Sequence, residues 1–303
     1  MAAAGTPQTH TTMTEPTLQD FRLIHRLRVR WAEVDQQRIV FNPHYLMYID
    51  TAFTEYWRAL AIPYESIPVL LGGDLYVKKS SVEYHGSARL DDLLQIGLKC
   101  ARIGNSSMVF QSAIFKGDEA LVTGELVYVF ADPATQTSKP VPGSLRELLL
   151  SYEAGATPIQ VEVAAWAEAA TQASALRRAV FNEELRYPLD LGLDATDPTS
   201  VHALVRNSFG QLLATARLAD ESPGVARIAR VAVSRAMRGA GYGRRAVEAL
   251  VQHAIQHDYR KIVLRSQHSA VHFFAGLGFT PVGEPFVEAG VAHLDMDRDP
   301  VPR

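Results

Sequence analysis

Residues 29–57 read VRWAEVDQQRIVFNPHYLMYIDTAFTEYW, and the first half of the fold is read outward from them. Upstream, from Phe21, FRLIHRLRVRWAEV alternates apolar and polar side chains as a half-buried strand does. Asn42-Pro43 then opens a helix. Asn is a good cap, and Pro is tolerated at the first helical position because its missing N–H would have no partner there. Tyr45, Ile49, Phe53, Tyr56 and Leu60 recur at helical spacing and form one broad apolar stripe. Asp35 therefore leaves a strand just ahead of a helix mouth.

Beyond Pro63, strand patterns run over Leu75–Tyr84, Leu93–Ile103, Ser107–Phe115 and Leu121–Phe130, parted by short breaks such as Gly104-Asn105. They read as an antiparallel meander, and one long helix followed by strands is an α+β pattern. Leu145–Tyr152 suits a short helix. After Pro158 the pattern becomes mixed α/β. It runs through strand Ile159–Val163, an Ala-rich helix to Phe181, an acidic loop (PLDLGLDATDP), and strands Val201–Asn207, Leu212–Leu218 and Val225–Ser234. A glycine-rich turn, a helix to His257, strand Lys261–Arg265 and helix Ala270–Gly276 follow. The expected division is a disordered leader (1–20), a first domain (21–150), a linker (151–157) and a second domain (158–303).

At 303 residues two domains are the natural prior. Apolar residues make up 47% and charged residues 21%, the balance of a globular protein. A net charge of -3 gives no reason to expect nucleic acid or anionic membrane as partner. The single cysteine, Cys100, excludes an internal disulfide and fits a reducing compartment; it sits in an apolar pattern and is expected to be inert. The N-terminus lacks the basic and apolar regions of a secretory signal, and no apolar run nears the roughly 20 residues of a membrane-spanning helix. A cytoplasmic protein is expected. The histidines show no metal-ligand spacing, so no metal is expected, and His268 and His272 read as helix surface. Lys78 and Lys79 read as solvated, and Trp31, Trp57 and Trp166 as core.

The Asp35 layout suits thioester chemistry. A helix N-terminus offers N–H groups and positive potential where an oxyanion forms, and a nearby carboxylate can attack the carbonyl or activate water. The segment resembles the 4-hydroxybenzoyl-CoA thioesterase family of hotdog proteins. The likeness continues through SSVEYHGSARLDDLLQIGL, IGNSSMVFQSAIF and GELVYVFAD. It implies a sheet wrapped around a long helix, with Asp35 as catalytic carboxylate. It further implies that the Asn42 N–H polarises the thioester, that Tyr45 shapes the pocket and that Asp92 has a structural role. Arg38 stands where the family usually has Gly, and His44 lies beside a position where some members carry His.

In Arg227–Ile255, RIARVAVSRAMRGAGYGRRAVEALVQHAI, a strand is followed by Arg238-Gly239-Ala240-Gly241-Tyr242-Gly243 and an amphipathic helix. Such a turn lets backbone N–H groups approach a pyrophosphate, and it lacks the G-K-[ST] of a Walker A loop. The context resembles the GNAT superfamily, whose loop reads [QR]-x-x-G-x-[GA]; Arg238, Gly241 and Gly243 fill it. RRAVFNEEL, the acidic residues Asp190, Asp194 and Asp197, ATARL, LRSQHSAVHFFAGLGF and GEPFVEAGVAHLDM extend the likeness. It implies that backbone groups of Val231 and Val233 hold pantetheine and that residues 238–243 hold the diphosphate. In A-x-x-F-Y-x-x-x-G-F, Phe274 stands where the family's acidic tyrosine belongs. Glu284, Glu288 and His293 are candidates for the base.

Together these readings imply coenzyme A and acetyl-CoA as substrates, an acyl-CoA thioesterase in the first domain and an N-acetyltransferase acting on a small amine in the second. A homodimer or homotetramer through the hotdog domain is implied. Two alternatives stay open: a non-catalytic acetyl-CoA-binding second domain, and a thioesterase acting on acyl-carrier-protein thioesters.

Overall fold

The computed structural model describes residues 15–187, 194–288 and 290–300. It divides into two compact units, Met1–Trp57 with Ile67–Gly155, and Arg58–Ser66 with Ala156–Arg303.

The first unit is a five-stranded antiparallel sheet around a long helix. Its strands are β1 (Leu23–Arg28), β2 (Asp74–Tyr84), β3 (Leu93–Ile103), β4 (Ser107–Lys116) and β5 (Glu119–Ala131), in the order β1-β3-β4-β5-β2. Helix α1 (Pro43–Ala59) buries Tyr45, Tyr48, Ile49, Ala52, Phe53, Tyr56 and Trp57, the stripe that its spacing foretells. Phe53 stacks on Tyr128 of β5 with ring centroids 4.0 Å apart and meets the edge of Phe110 of β4 at 5.1 Å. Helix α2 (Ile67–Leu71), too short for a periodic signal, precedes β2. Helix α3 (Gly143–Glu153) buries Leu145, Leu148, Leu149 and Tyr152.

Four expectations differ from the structure here. The meander holds only for β3-β4-β5: β2 pairs with β5, Leu75 opposite Phe130 and Val82 opposite Gly124, and not with its sequence neighbour β3. Alternation reports which side chains face the core and is silent about the partner strand. The linker placed at 151–157 starts inside α3, because Tyr152 completes that helix's buried face. The leader's last residues, from Glu15, are part of the structure and include a 3-10 turn at Leu18–Asp20; residues 1–14 lie outside the described residues. Trp31 is likewise not core: it lies on a 3-10 turn, 80% exposed.

The second unit carries a seven-stranded sheet in the order β11-β12-β10-β9-β8-β7-β6. The strands are β6 (Ile159–Ala165), β7 (Val201–Asn207), β8 (Leu212–Ser222), β9 (Val225–Val233), β10 (Lys261–Gln267), β11 (Thr280–Glu288) and β12 (Val291–Arg298). All neighbours are antiparallel except β9 and β10. Helix α5 (Tyr242–Gln256) packs Ala246, Val247, Leu250 and Val251 into one core with Ala203 and Val205 of β7. Helix α4 (Trp166–Arg177) packs Ala169 and Ala173 with Leu204, which alternation puts on the other face. A π-helical turn, Arg178–Glu184, prolongs α4, and α6 (Val271–Ala275) follows β10. The β11–β12 hairpin and the extension of β8 to Ser222 are absent from the sequence reading.

Candidate functional site

In the first unit Asp35 starts a tight loop. Its N–H donates to Ile39 O at 2.9 Å, and Arg38 N–H donates back to Asp35 O at 3.0 Å. Its Oδ1 accepts Gln37 N–H at 2.8 Å and Ile39 N–H at 3.4 Å. The loop thus fixes the half-buried carboxylate through one oxygen, while Oδ2 has no hydrogen-bond partner among the described residues. The reversal puts Arg38 at φ 61°, the left-handed region that suits Gly and strains other residues.

The loop is pinned to the rest of the domain. Val40 N–H donates to Ala88 O and Phe41 N–H to Glu33 O, both at 2.9 Å. Glu33, which sequence reasoning passes over, is 3% exposed and accepts a hydrogen bond from Tyr48 Oη at 2.7 Å. Burial works to raise its pKa, but the Arg30 guanidinium and the Tyr48 hydroxyl outweigh that and hold it below the usual carboxylate value. Asp92 accepts Arg89 N–H at 2.8 Å and pairs with Lys116 at 2.9 Å, which ties the β3 entry to β4.

At the helix mouth the expectation of several free N–H groups narrows to one. Pro43 has none, His44 N–H donates to Phe41 O at 2.9 Å, and Tyr45 N–H donates to Asn42 O at 3.2 Å. The Asn42 N–H is left without a partner among the described residues. Tyr84 Oη donates to Asn42 O at 3.4 Å, fixing the turn. Tyr45 is buried, its Oη accepts Ala88 N–H at 2.8 Å, and burial raises its pKa. His44 Nδ1 is buried with no partner.

The second unit holds a cavity of about 970 Å³. It exists because β9 and β10 pair only from Lys261 opposite Val225 to Leu264 opposite Ile228 and then part. Arg230, at φ 56°, bulges β9 just past the parting. Ser234 N–H donates to Leu213 O, toward β8. With Val233 opposite Ala214, alternation turns the Val233 amide the other way, into the gap. The glycine turn closes one end. Gly241, at φ 86°, precedes the first residue of α5, and a Cβ there would meet nothing within 4 Å on a cavity-lining residue. Gly243 is different: its Cβ would lie 3.0 Å from Val233 Cγ2, so its smallness lets α5 pack against β9.

Val231, Val233, Arg238, Gly239, Gly241, Tyr242, Gly243, Glu288 and His293 all border this cavity; Ala240 is exposed and does not, nor does Glu284. Arg238 bridges two neighbours, donating to both Glu184 oxygens at 2.6 and 2.7 Å and to Val233 O at 3.3 Å. Glu288 is paired with Arg265 at 2.9 Å. His293 Nδ1 lies 2.9 Å from Val291 O. A carbonyl only accepts, so Nδ1 is the donor of this bond and Nε2 is the ring nitrogen left for another partner. Phe274 is buried beside the cavity, edge-on to Phe273.

Tyr187, Gln267, Arg217 and Arg230 line the cavity and are not singled out by sequence reasoning. Tyr187 Oη accepts Gln267 Nε2 at 2.7 Å, which leaves a phenol in the cavity that lacks the hydroxyl of a tyrosine at 274. Arg217 and Arg230 enter from β8 and β9, held by Asp194. Arg217 and Arg230 lie in stretches that share the GNAT likeness, but nothing in those stretches points to their side chains, and only the assembled sheet brings them together. Of the acidic loop, Asp194 and Asp197 bind arginines and Asp190 lies outside the described residues. His268 and His272 are exposed.

A family model for the thioesterase superfamily matches residues 37–123, and one for the acetyltransferase (GNAT) domain matches 194–299. UPF0039 protein sll0451 of Synechocystis is 35% identical over 133 residues, 43% of this chain and 85% of that protein. Acyl-CoA thioester hydrolase YbgC of Escherichia coli O157:H7 is 27% identical over 120 residues, 39% of this chain and 89% of that protein. Among solved structures, an acyl-CoA N-acyltransferase from Pseudomonas aeruginosa is 28% identical with a TM-score of 0.43, covering 46% of this chain and 99% of that one.

Proposed function

We propose, because the chain belongs to the UPF0039 family and joins a thioesterase-superfamily domain to a GNAT domain, that it is a bifunctional coenzyme-A enzyme. The first domain hydrolyses an acyl-CoA thioester and the second moves an acetyl group from CoA to a small amine. The observation that carries the reading is the cavity at the β9–β10 parting, with the Val233 amide turned toward it and a glycine turn at one end.

In the first domain the Asn42 N–H stabilises the oxyanion, and Asp35 attacks the carbonyl or activates water through its free Oδ2. In the second, the amine adds to the thioester carbon, the C–S bond breaks, and CoA leaves as thiolate. His293 Nε2 takes the proton shed by the amine. The Tyr187 hydroxyl, whose oxygen already accepts a bond from Gln267, keeps its proton for the thiolate; a thiol pKa near 8.5 makes that help modest. The resemblance to hotdog thioesterases supports a homodimer or homotetramer, and exposed Trp31, Phe41 and Met47 around the Asp35 loop give such an assembly apolar surface to cover.

The test follows thiol release by the full chain over an acyl-CoA panel, with and without amines. Asp35→Asn keeps an oxygen for Gln37 and Ile39 but removes the charge, so it should cut amine-independent release roughly 10²–10⁴-fold with the fold intact. His293→Gln should cut only the amine-dependent part. A folded Asp35→Asn protein with wild-type hydrolysis would remove the first assignment.

A further inference from the structure

Arg177, Arg217 and Arg230 gather around Asp194 and Asp197. Arg177 Nη1 donates to Asp197 Oδ1 at 2.8 Å; Arg217 Nη1 donates to Asp194 Oδ1 at 2.5 Å and to Asp197 Oδ1 at 3.1 Å; Arg230 Nη2 donates to Asp194 Oδ2 at 2.6 Å. His202, buried beside them, accepts from Arg177 Nη2 through Nδ1 at 2.9 Å, and its Nε2 lies 3.1 Å from Asp197 O, so it is neutral. Three guanidinium groups therefore face two carboxylates among the described residues, an excess of one positive charge in a mostly buried cluster.

The excess is aimed at the cavity. Arg177 is fully buried, but Arg217 and Arg230 both line the cavity wall. Arg217 is 6% exposed, its Nε is buried with no partner, and its Nη2 makes no hydrogen bond. Nε and Nη2 form the side-on fork of a guanidinium, the face that grips a carboxylate through two parallel bonds. Arg230 Nε is buried and unpartnered as well. A buried cation with unpartnered N–H groups is costly unless a ligand completes it.

We propose that this fork is the acceptor subsite, and that the amine acetylated by the second domain carries a carboxylate bound by Arg217 with Arg230 beside it. The inference rests on the transferase reading above. Arg217 lies opposite Ala229 of β9, and Val231 is two residues further along, about 7 Å at the rise of a strand. A carboxylate on Arg217 thus directs an amine a few bonds away toward the thioester end of pantetheine. There its nitrogen lone pair forms the C–N bond as the C–S bond breaks, and its proton leaves through His293.

The experiment measures kcat/KM of the full chain with acetyl-CoA for three matched series: glycine, L-serine, L-phenylalanine and L-lysine; their primary amides; and the decarboxylated amines. Calorimetry with acetyl-CoA runs alongside. The amino acids should exceed both neutral series by about 10-fold or more, mostly through KM. Arg230→Gln should shrink that ratio to within about threefold, as should Arg217→Gln if it folds; the wild-type ratio needs no variant. Equal rates across the series, with acetyl-CoA bound, would overturn the carboxylate subsite alone. Acetyl-CoA binding without transfer to any series would overturn both it and the transferase reading, and absence of binding would remove the premise.

Discussion

Arg38 stands in the left-handed region, in the loop that carries Asp35. Relief of that strain exceeds the entropy that glycine adds to the unfolded chain, so Arg38→Gly should stabilise the first domain by about 1 kcal/mol. A urea midpoint that stays put or falls would show the loop to be unstrained. Asp35 itself is singled out by the resemblance to the thioesterase family, on a strand–loop–helix spacing that suits it. What the spacing hides is that Oδ1 is committed to two N–H groups and Oδ2 is not. Cys100 is the opposite case: its apolar context marks it as inert, and burial, with Glu153 beside it, pushes its thiol up to about 12. Nothing local points to the side chains of Tyr187, Arg217 and Arg230, because each gains its role from a partner on another element.

Among the elements, the glycine turn and the acidic loop make separate claims. Gly241→Val puts a branched side chain on the cavity side at φ 86°, so the variant should fold but lose acetyl-CoA binding in calorimetry. Gly243→Ala instead crowds Val233 and should cost about 1–3 kcal/mol of stability while leaving the amides in place. Binding lost with Gly243→Ala and kept with Gly241→Val would reverse the two roles. In the acidic loop, burial works to raise the Asp194 carboxyl, and the Thr196 hydroxyl and Arg217 outweigh it; at Asp197 the Asp194 N–H and Arg177 do the same. Both are held low in the folded state. Their stabilisation is therefore complete above the unfolded value of about 3.9 and lost as pH falls through the folded values. Thermal unfolding between pH 5 and 2, a range chosen about that value, should show a steep loss that Asp194→Asn flattens. An unchanged acid slope in the variant would place the loss elsewhere. Strands β1 to β10 were legible, to within a few residues at their ends, and the β11–β12 hairpin was not. The parting of β9 from β10 was not, because it is a relation between two strands.

For the whole molecule, the five-stranded sheet ends in two edges, β1 and β2. Open edges invite pairing, and with the exposed apolar groups near Asp35 they support assembly through the first domain. Sedimentation at micromolar concentration should give a dimer or tetramer; a monomer would count against it. No helix among the described residues is long and apolar enough to cross a membrane. By itself the sequence determined the elements around Asp35 and the glycine turn, because hydrophobic period, capping and glycine spacing are local properties of a chain, and its resemblance to two families determined the two fold types. Only the tertiary structure decided that β2 joins β5, that one amide at the helix mouth is free, and that three arginines meet two aspartates beside a cavity. Those outcomes depend on contacts between residues far apart in the chain. Packing and charge balance set such contacts, and no local pattern encodes them.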